Sequence, residues 1–267
     1  MTGNGILGGI TAVQGATAGN NVCHYIQCVN NGDITATATQ AVSSSAMAGI
    51  AAFYSPGSVF EYCINTGFVT NTKSVYTAGI AANNKGSATA DYPVVFKGCV
   101  NTGNIASSAQ QIAGIVAYIT NYTSVDSCLN YGTIEQGIWG AAGICYTMAG
   151  TTSSLTNCIN YGDVSVTQYN AGGIVGNCAS TTAVIENCVN VGNITSTTTA
   201  EKNNYGVGGI AGSSYATMKN CFNAGKVVGK VRVGGIVGSP SYYAKVARTQ
   251  LVNCVNVGLI TADEGCG

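Results

Sequence analysis

The chain repeats the text Cys-x-Asn-x-Gly-x-(Ile/Val) eight times, and no other feature limits its fold as strongly. The copies begin at Cys28, Cys63, Cys99, Cys128, Cys158, Cys188, Cys221 and Cys254, 29 to 36 residues apart. Two places after each Cys stands Asn: Asn30, Asn65, Asn101, Asn130, Asn160, Asn190, Asn223 and Asn256. Gly follows four places after each Cys, from Gly32 to Gly258, and Ile or Val six places after, from Ile34 to Ile260. Three places before each Cys is a large apolar residue: Tyr25, Phe60, Phe96, Val125, Leu155, Ile185, Met218 and Leu251. Between the copies a second text, Gly-Ile, recurs from Gly9-Ile10 and Gly49-Ile50 to Gly235-Ile236. Self-similarity at such a period marks a repeat architecture, in which each unit buries its apolar face against its neighbours. The apolar runs are too short for helices and rich in β-branched residues, so each unit reads as two or three short strands separated by Gly and Asn. The expected fold is all-β: one right-handed parallel β-helix, or β-solenoid, of about eight turns. It spans residues 1–267 as a single domain, with incomplete turns at 1–27 and 254–267.

Residues that recur once per turn become vertical ladders when turns stack about 4.8 Å apart. The Ile and Val columns are expected to form a dry interior, and the Asn column to hydrogen-bond amide to amide along the stack. Positions −3, 0, +1 and +6 relative to Cys are all apolar, which strict alternation cannot place on one face. A corner must therefore fall near Cys-x-Asn-x-Gly. The column two places before Cys, with Glu61, Lys97, Asp126, Thr156, Glu186 and Lys219, alternates in sign and reads as solvent-facing.

Only 7% of residues are charged and the formal net charge is zero, so nothing favours nucleic acid or an anionic membrane as a partner. Hydrophobic residues make up 46%, enough for a core, yet no apolar run reaches membrane-span length. A neutral polar surface repels its own copies weakly, which makes self-association easy. The start, Met1-Thr2-Gly3-Asn4-Gly5, lacks the basic and apolar regions of a secretory leader.

Eight of the twelve cysteines occupy the repeat column, and the other four are Cys23, Cys145, Cys178 and Cys266. Ladder cysteines one rung apart point the same way, so a stack of reduced, buried thiols is expected. Cys23, Cys178 and Cys266 are the candidates for a stray or intermolecular bridge. Cys23-His24-x3-Cys28 is the one Cys/His cluster and lacks a second ligand pair, so no metal or cofactor is expected.

No rung holds two acids with a base beside them, as glycoside hydrolysis would require. Asp33 and Asp163 share a column but lie four turns apart. No catalytic residue is assigned. The basic residues Lys202, Lys219, Lys226, Lys230, Arg232, Lys245 and Arg248 read as solubility charge, with an acidic glycan as the rival reading. Tyr131 and Tyr161 share a column, and Tyr242 and Tyr243 sit in an insertion; these four form a candidate contact surface for sugar or protein.

In the last units the Gly-Ile text expands to Gly-Gly-Ile-(Val/Ala)-Gly at 172–176, 208–212 and 234–238. These pieces, with flanking Asn-Cys-x-Asn-x-Gly-x-Ile-Thr as at 187–195, resemble the GLUG motif of large bacterial surface proteins. Earlier units, such as Gly49-Ile50-Ala51-Ala52, lack the closing Gly. The resemblance implies a bacterial cell-surface stalk or adhesion module without catalytic residues, so a non-enzymatic extracellular stalk or spacer is expected; separately, the half-units at the two ends and the low charge suggest a filament subunit whose half-units complete each other end to end. Its partners would be host or surface glycans or proteins. The alternative is a β-helical carbohydrate-active enzyme or carbohydrate-binding module.

Overall fold

A computed structural model describes residues 2–3, 5–13, 22–36, 45–72, 75–108, 110–137, 139–197, 205–240 and 249–262. Every described element is a short β-strand, and every strand pairing is parallel. One turn shows the plan. Strand Ala46–Ala48 leads through Gly49-Ile50 to Ala51–Tyr54, then to Val59–Glu61, Ile64–Asn65 and Val69–Asn71. Each of these five strands stacks only on its counterparts above and below, giving five parallel sheets around the axis, here numbered first to fifth in that order. Four sheets have eight strands and the fifth has nine. From the first Cys strand to the last the chain therefore makes seven turns, because eight rungs enclose seven intervals. At about 4.8 Å per rung the stack is roughly 34 Å long.

The register is in step at every rung of the motif. Phe60 lies between Tyr25 and Phe96, and Asn65 lies between Asn30 and Asn101. Val69 lies between Ile34 and Ile105.

The corner is the residue just before each Cys. Gln27, Tyr62, Gly98, Ser127, Asn157, Asn187, Asn220 and Asn253 all have φ between 51° and 61°. That left-handed geometry turns the chain from the third sheet into the fourth and reverses the alternation of side chains. The Cys points inward, the +1 residue outward and the Asn inward again. This resolves the crowding of apolar positions: the +1 column lies on the outside.

The interior has two apolar lobes. One holds Ile50, Ala51, Tyr54, Phe60 and Cys63 and their equivalents; the other holds Met47, Val69 and theirs. Between the lobes the two recurring texts meet. The Gly of each Gly-Ile packs against the carboxamide of the Asn in the same turn, as Gly49 does against Asn65 and Gly114 against Asn130. A β-carbon at these glycines would overlap both that amide and the Gly carbonyl of the next turn. The cross-section is thus pinched at a waist of Gly on one side and Asn on the other.

Outside the waist, the outward faces of the first and second sheets fold toward each other into a crease. Small residues fill it: Ala46, Ala48, Ala52 and Ala82 around Phe53, and Ala113 and Ala142 around Tyr146. The Gly-Gly-Ile-Val-Gly text and its Ala-bearing relatives therefore meet one steric demand.

Candidate functional site

The structure directs the motif residues into the stack. The Asn side chains from Asn65 to Asn223 are fully buried. Each Nδ2 donates to the Gly carbonyl two residues on, at 2.7–2.9 Å. Each Nδ2 from Asn30 to Asn223 also donates to Oδ1 of the Asn in the next turn, at 2.7–2.8 Å. Both amide protons are thus used at these rungs, which offsets the cost of burying a polar group in a dry interior.

The cysteines line the larger lobe. All eleven described cysteines are free thiols, and those from Cys63 to Cys221 are buried. Their sulfurs point at carbonyls of their own or the preceding turn, such as Cys63 Sγ to Tyr25 O at 3.1 Å and Cys158 Sγ to Thr156 O at 3.2 Å. Burial pushes the Cys178 thiol up to about 11 and the Cys221 thiol up to about 12, and it raises Cys128 and Cys145 as well. At these four cysteines the raised pKa removes the thiolate that nucleophilic or redox chemistry needs, whereas hydrogen bonds from neighbouring ladder thiols lower Cys99 and Cys158. Cys266 lies outside the described residues. Among the described residues no three His, Cys, Asp or Glu groups converge on one point that could hold a metal.

Three of the acids are engaged with the backbone or the ladder. Asp33 Oδ1 accepts from the Phe68 N–H at 2.9 Å, and Asp163 Oδ1 from the Asn193 N–H at 2.7 Å. Asp126 accepts from Thr156 Oγ1 at 2.6 Å, Asn157 Nδ2 at 2.8 Å and Ser127 Oγ at 2.9 Å. Partial burial opposes its ionisation. The three hydrogen bonds and the charge of Lys97 outweigh that and hold its carboxyl below the usual carboxylate range. Glu135 is exposed on the fifth sheet, on a different face from Asp126.

Of the contact residues expected from sequence, Tyr131 and Tyr161 come together as a stacked pair, with ring centroids 4.7 Å apart and planes 4° from parallel. Stacked this way, each ring covers one face of the other while both stay exposed, an aromatic surface suited to a sugar or a protein contact. Tyr242 and Tyr243 lie outside the described residues, as do Lys202, Lys245 and Arg248. Lys219, Lys226 and Lys230 are exposed.

Sequence reading missed two features of the outer surface. A second Asn ladder runs along the corner: Asn187 donates to Asn157, Asn220 to Asn187 and Asn253 to Asn220, at 3.2–3.3 Å. Its signal lay at position −1, where the first four copies have other residues. The second feature is the +1 column itself. Val29, Ile64, Val100, Leu129, Ile159, Val189, Phe222 and Val255 form an apolar stripe on the outside of the fourth sheet, part-exposed in the middle and more exposed at the ends.

Both terminal described strands, Thr2–Gly3 and Ile260–Ala262, belong to the fifth sheet. A copy stacked end to end in continuous register would bring its Thr2–Gly3 onto the place of Ile260–Ala262.

Comparisons with protein families, with curated proteins and with solved structures return no match.

Proposed function

We propose that the chain is a non-enzymatic structural module of an extracellular surface protein, acting as a stalk or spacer. One observation carries this reading. Cys, Asn and Gly, the residues that make the motif, all face the interior, and their polar groups are used in contacts within and between turns. A motif built for catalysis or recognition would instead place repeating polar groups on an accessible face. The resemblance to GLUG-bearing bacterial surface proteins supports the location, and the low charge suits a passive surface.

Antibody labelling of intact cells of the native organism tests the location. Labelling without permeabilisation is expected. Labelling only after permeabilisation would refute a surface role.

A further inference from the structure

We propose that the outer edge around the fourth sheet is a docking face for a second copy of this chain, which binds antiparallel to the first about a two-fold axis. Most exposed large hydrophobics of the described residues gather on this edge. Ile26, Val29, Tyr62, Tyr131, Val191 and Phe222 are examples, each between 36% and 52% exposed. Three columns run side by side there: position −2 on the third sheet, +1 on the fourth, and +3 just beyond it.

The order of charge along the −2 column selects the partner and its direction. From the first rung to the last it reads Ile26, Glu61, Lys97, Asp126, Thr156, Glu186, Lys219 and Val252. A two-fold axis lying across the rods, level with the gap between the fourth and fifth rungs, sets the column against itself in reverse. Glu61 then meets Lys219, Lys97 meets Glu186 and Asp126 meets Thr156, while Ile26 meets Val252. Glu61 and Lys219, and Lys97 and Glu186, then face opposite charges, while Asp126 faces a Thr156 whose hydroxyl already donates to Asp126 of its own chain. A contact of this kind is isologous, each pair occurring twice.

The other columns agree. In the +1 column the same operation sets Val29 against Val255, Ile64 against Phe222, Val100 against Val189 and Leu129 against Ile159, all apolar. In the +3 column it brings the stacked Tyr131 and Tyr161 to the axis. Aromatic residues such as these are enriched among binding hot spots. Eight rungs by three columns give a face of about 35 Å by 10–15 Å, at the low end of specific interfaces. The association is therefore weak, with a Kd on the order of 1–100 µM.

Sedimentation equilibrium over a concentration series tests this. A monomer–dimer equilibrium with no larger species is expected, weakening with salt. Lys97→Glu should weaken the dimer by about tenfold or more, since it sets like charges face to face at two places. Adding Glu186→Lys should restore it to within about threefold. That rescue is diagnostic: within one chain, Lys97→Glu leaves Glu61, the new Glu and Asp126 in a row whether or not residue 186 is changed, so only the contact between copies predicts recovery. Tyr161→Asp, at an exposed position outside the core, should abolish the dimer and leave the circular dichroism unchanged. A strict monomer up to about 1 mM would overturn the proposal. So would a double variant no better than the single one, or open-ended oligomers, which signal end-to-end stacking instead.

Discussion

A buried asparagine is an unusual choice for the centre of a β-fold, and its cost explains its neighbours. Removing one amide from the stack strands an N–H of the preceding turn and an Oδ1 of the next, each worth about 1–3 kcal/mol when buried. Asn130→Ala should therefore cost about 3 kcal/mol or more, a fall of roughly 6–12 °C in Tm for a chain of this size by thermal melting. The buried thiols set a limit at high pH. At Cys128, Cys145, Cys178 and Cys221 burial lifts the folded pKa above the ordinary value of 9.0, so these protonated thiols stabilise the fold fully below that pH. The contribution is lost as pH rises from 9.0 through the folded value, about 11 for Cys178. Each such thiol should remove about 1.4 kcal/mol per pH unit in that window. Denaturation midpoints should hold up to about pH 9 and then fall steadily toward about pH 11. Asp126 acts at the other end. Its folded pKa lies below the ordinary 3.8, so its contribution is present above that value and lost as the pH falls further. Asp126→Asn should flatten the acid limb of the stability profile, and an unchanged limb would show that its hydrogen bonds do not favour the charged form.

At the scale of strands and corners, the structure reveals what residue identities alone could not show. The columns at −3, +2 and +6 were legible because their chemistry repeats at every turn and the stacking is in register. The corner was not, because what its eight residues share is a positive φ and not a side chain: Gln27, Tyr62, Gly98 and Ser127 look unrelated. Once the corner is placed, the apolar +1 column is assigned to the surface. The waist was hidden for a different reason. Gly49 and Asn65 belong to separate texts, and only the closure of the turn brings them together. The corner geometry makes its own prediction. Asn187 has φ 54°, a region that Asn and Gly tolerate and β-branched residues do not. Asn187→Gly should change stability by no more than about 0.5 kcal/mol, whereas Asn187→Val should cost about 1–2 kcal/mol by urea denaturation.

For the molecule as a whole, turns pack mainly on the turns beside them, the Tyr54 hydroxyl reaching the Tyr118 carbonyl two turns on being an exception, so stability is close to a sum of rung and interface terms. A whole unit should then be removable. Deleting residues 158–187 joins Asn157 directly to Cys188 and leaves every column in register. Far-UV circular dichroism and a cooperative melt should persist, with the rod shortened by about one 4.8 Å rung. The solenoid, its parallel stacking and its repeating columns could be read from the sequence. The outer face could not, because its pattern is an order of charges along the axis that acquires meaning only when the rungs are stacked.

The central claim is that the motif asparagines are interior scaffold. Hydrogen exchange of Asn side-chain amides in D2O, resolved by NMR, tests it most directly, because the chain carries two Asn ladders in different environments. The Nδ2 protons of the inner ladder, from Asn65 to Asn190, should persist for hours, while those of the corner ladder at Asn187, Asn220 and Asn253 exchange at once. Equally fast exchange in both ladders would contradict the account.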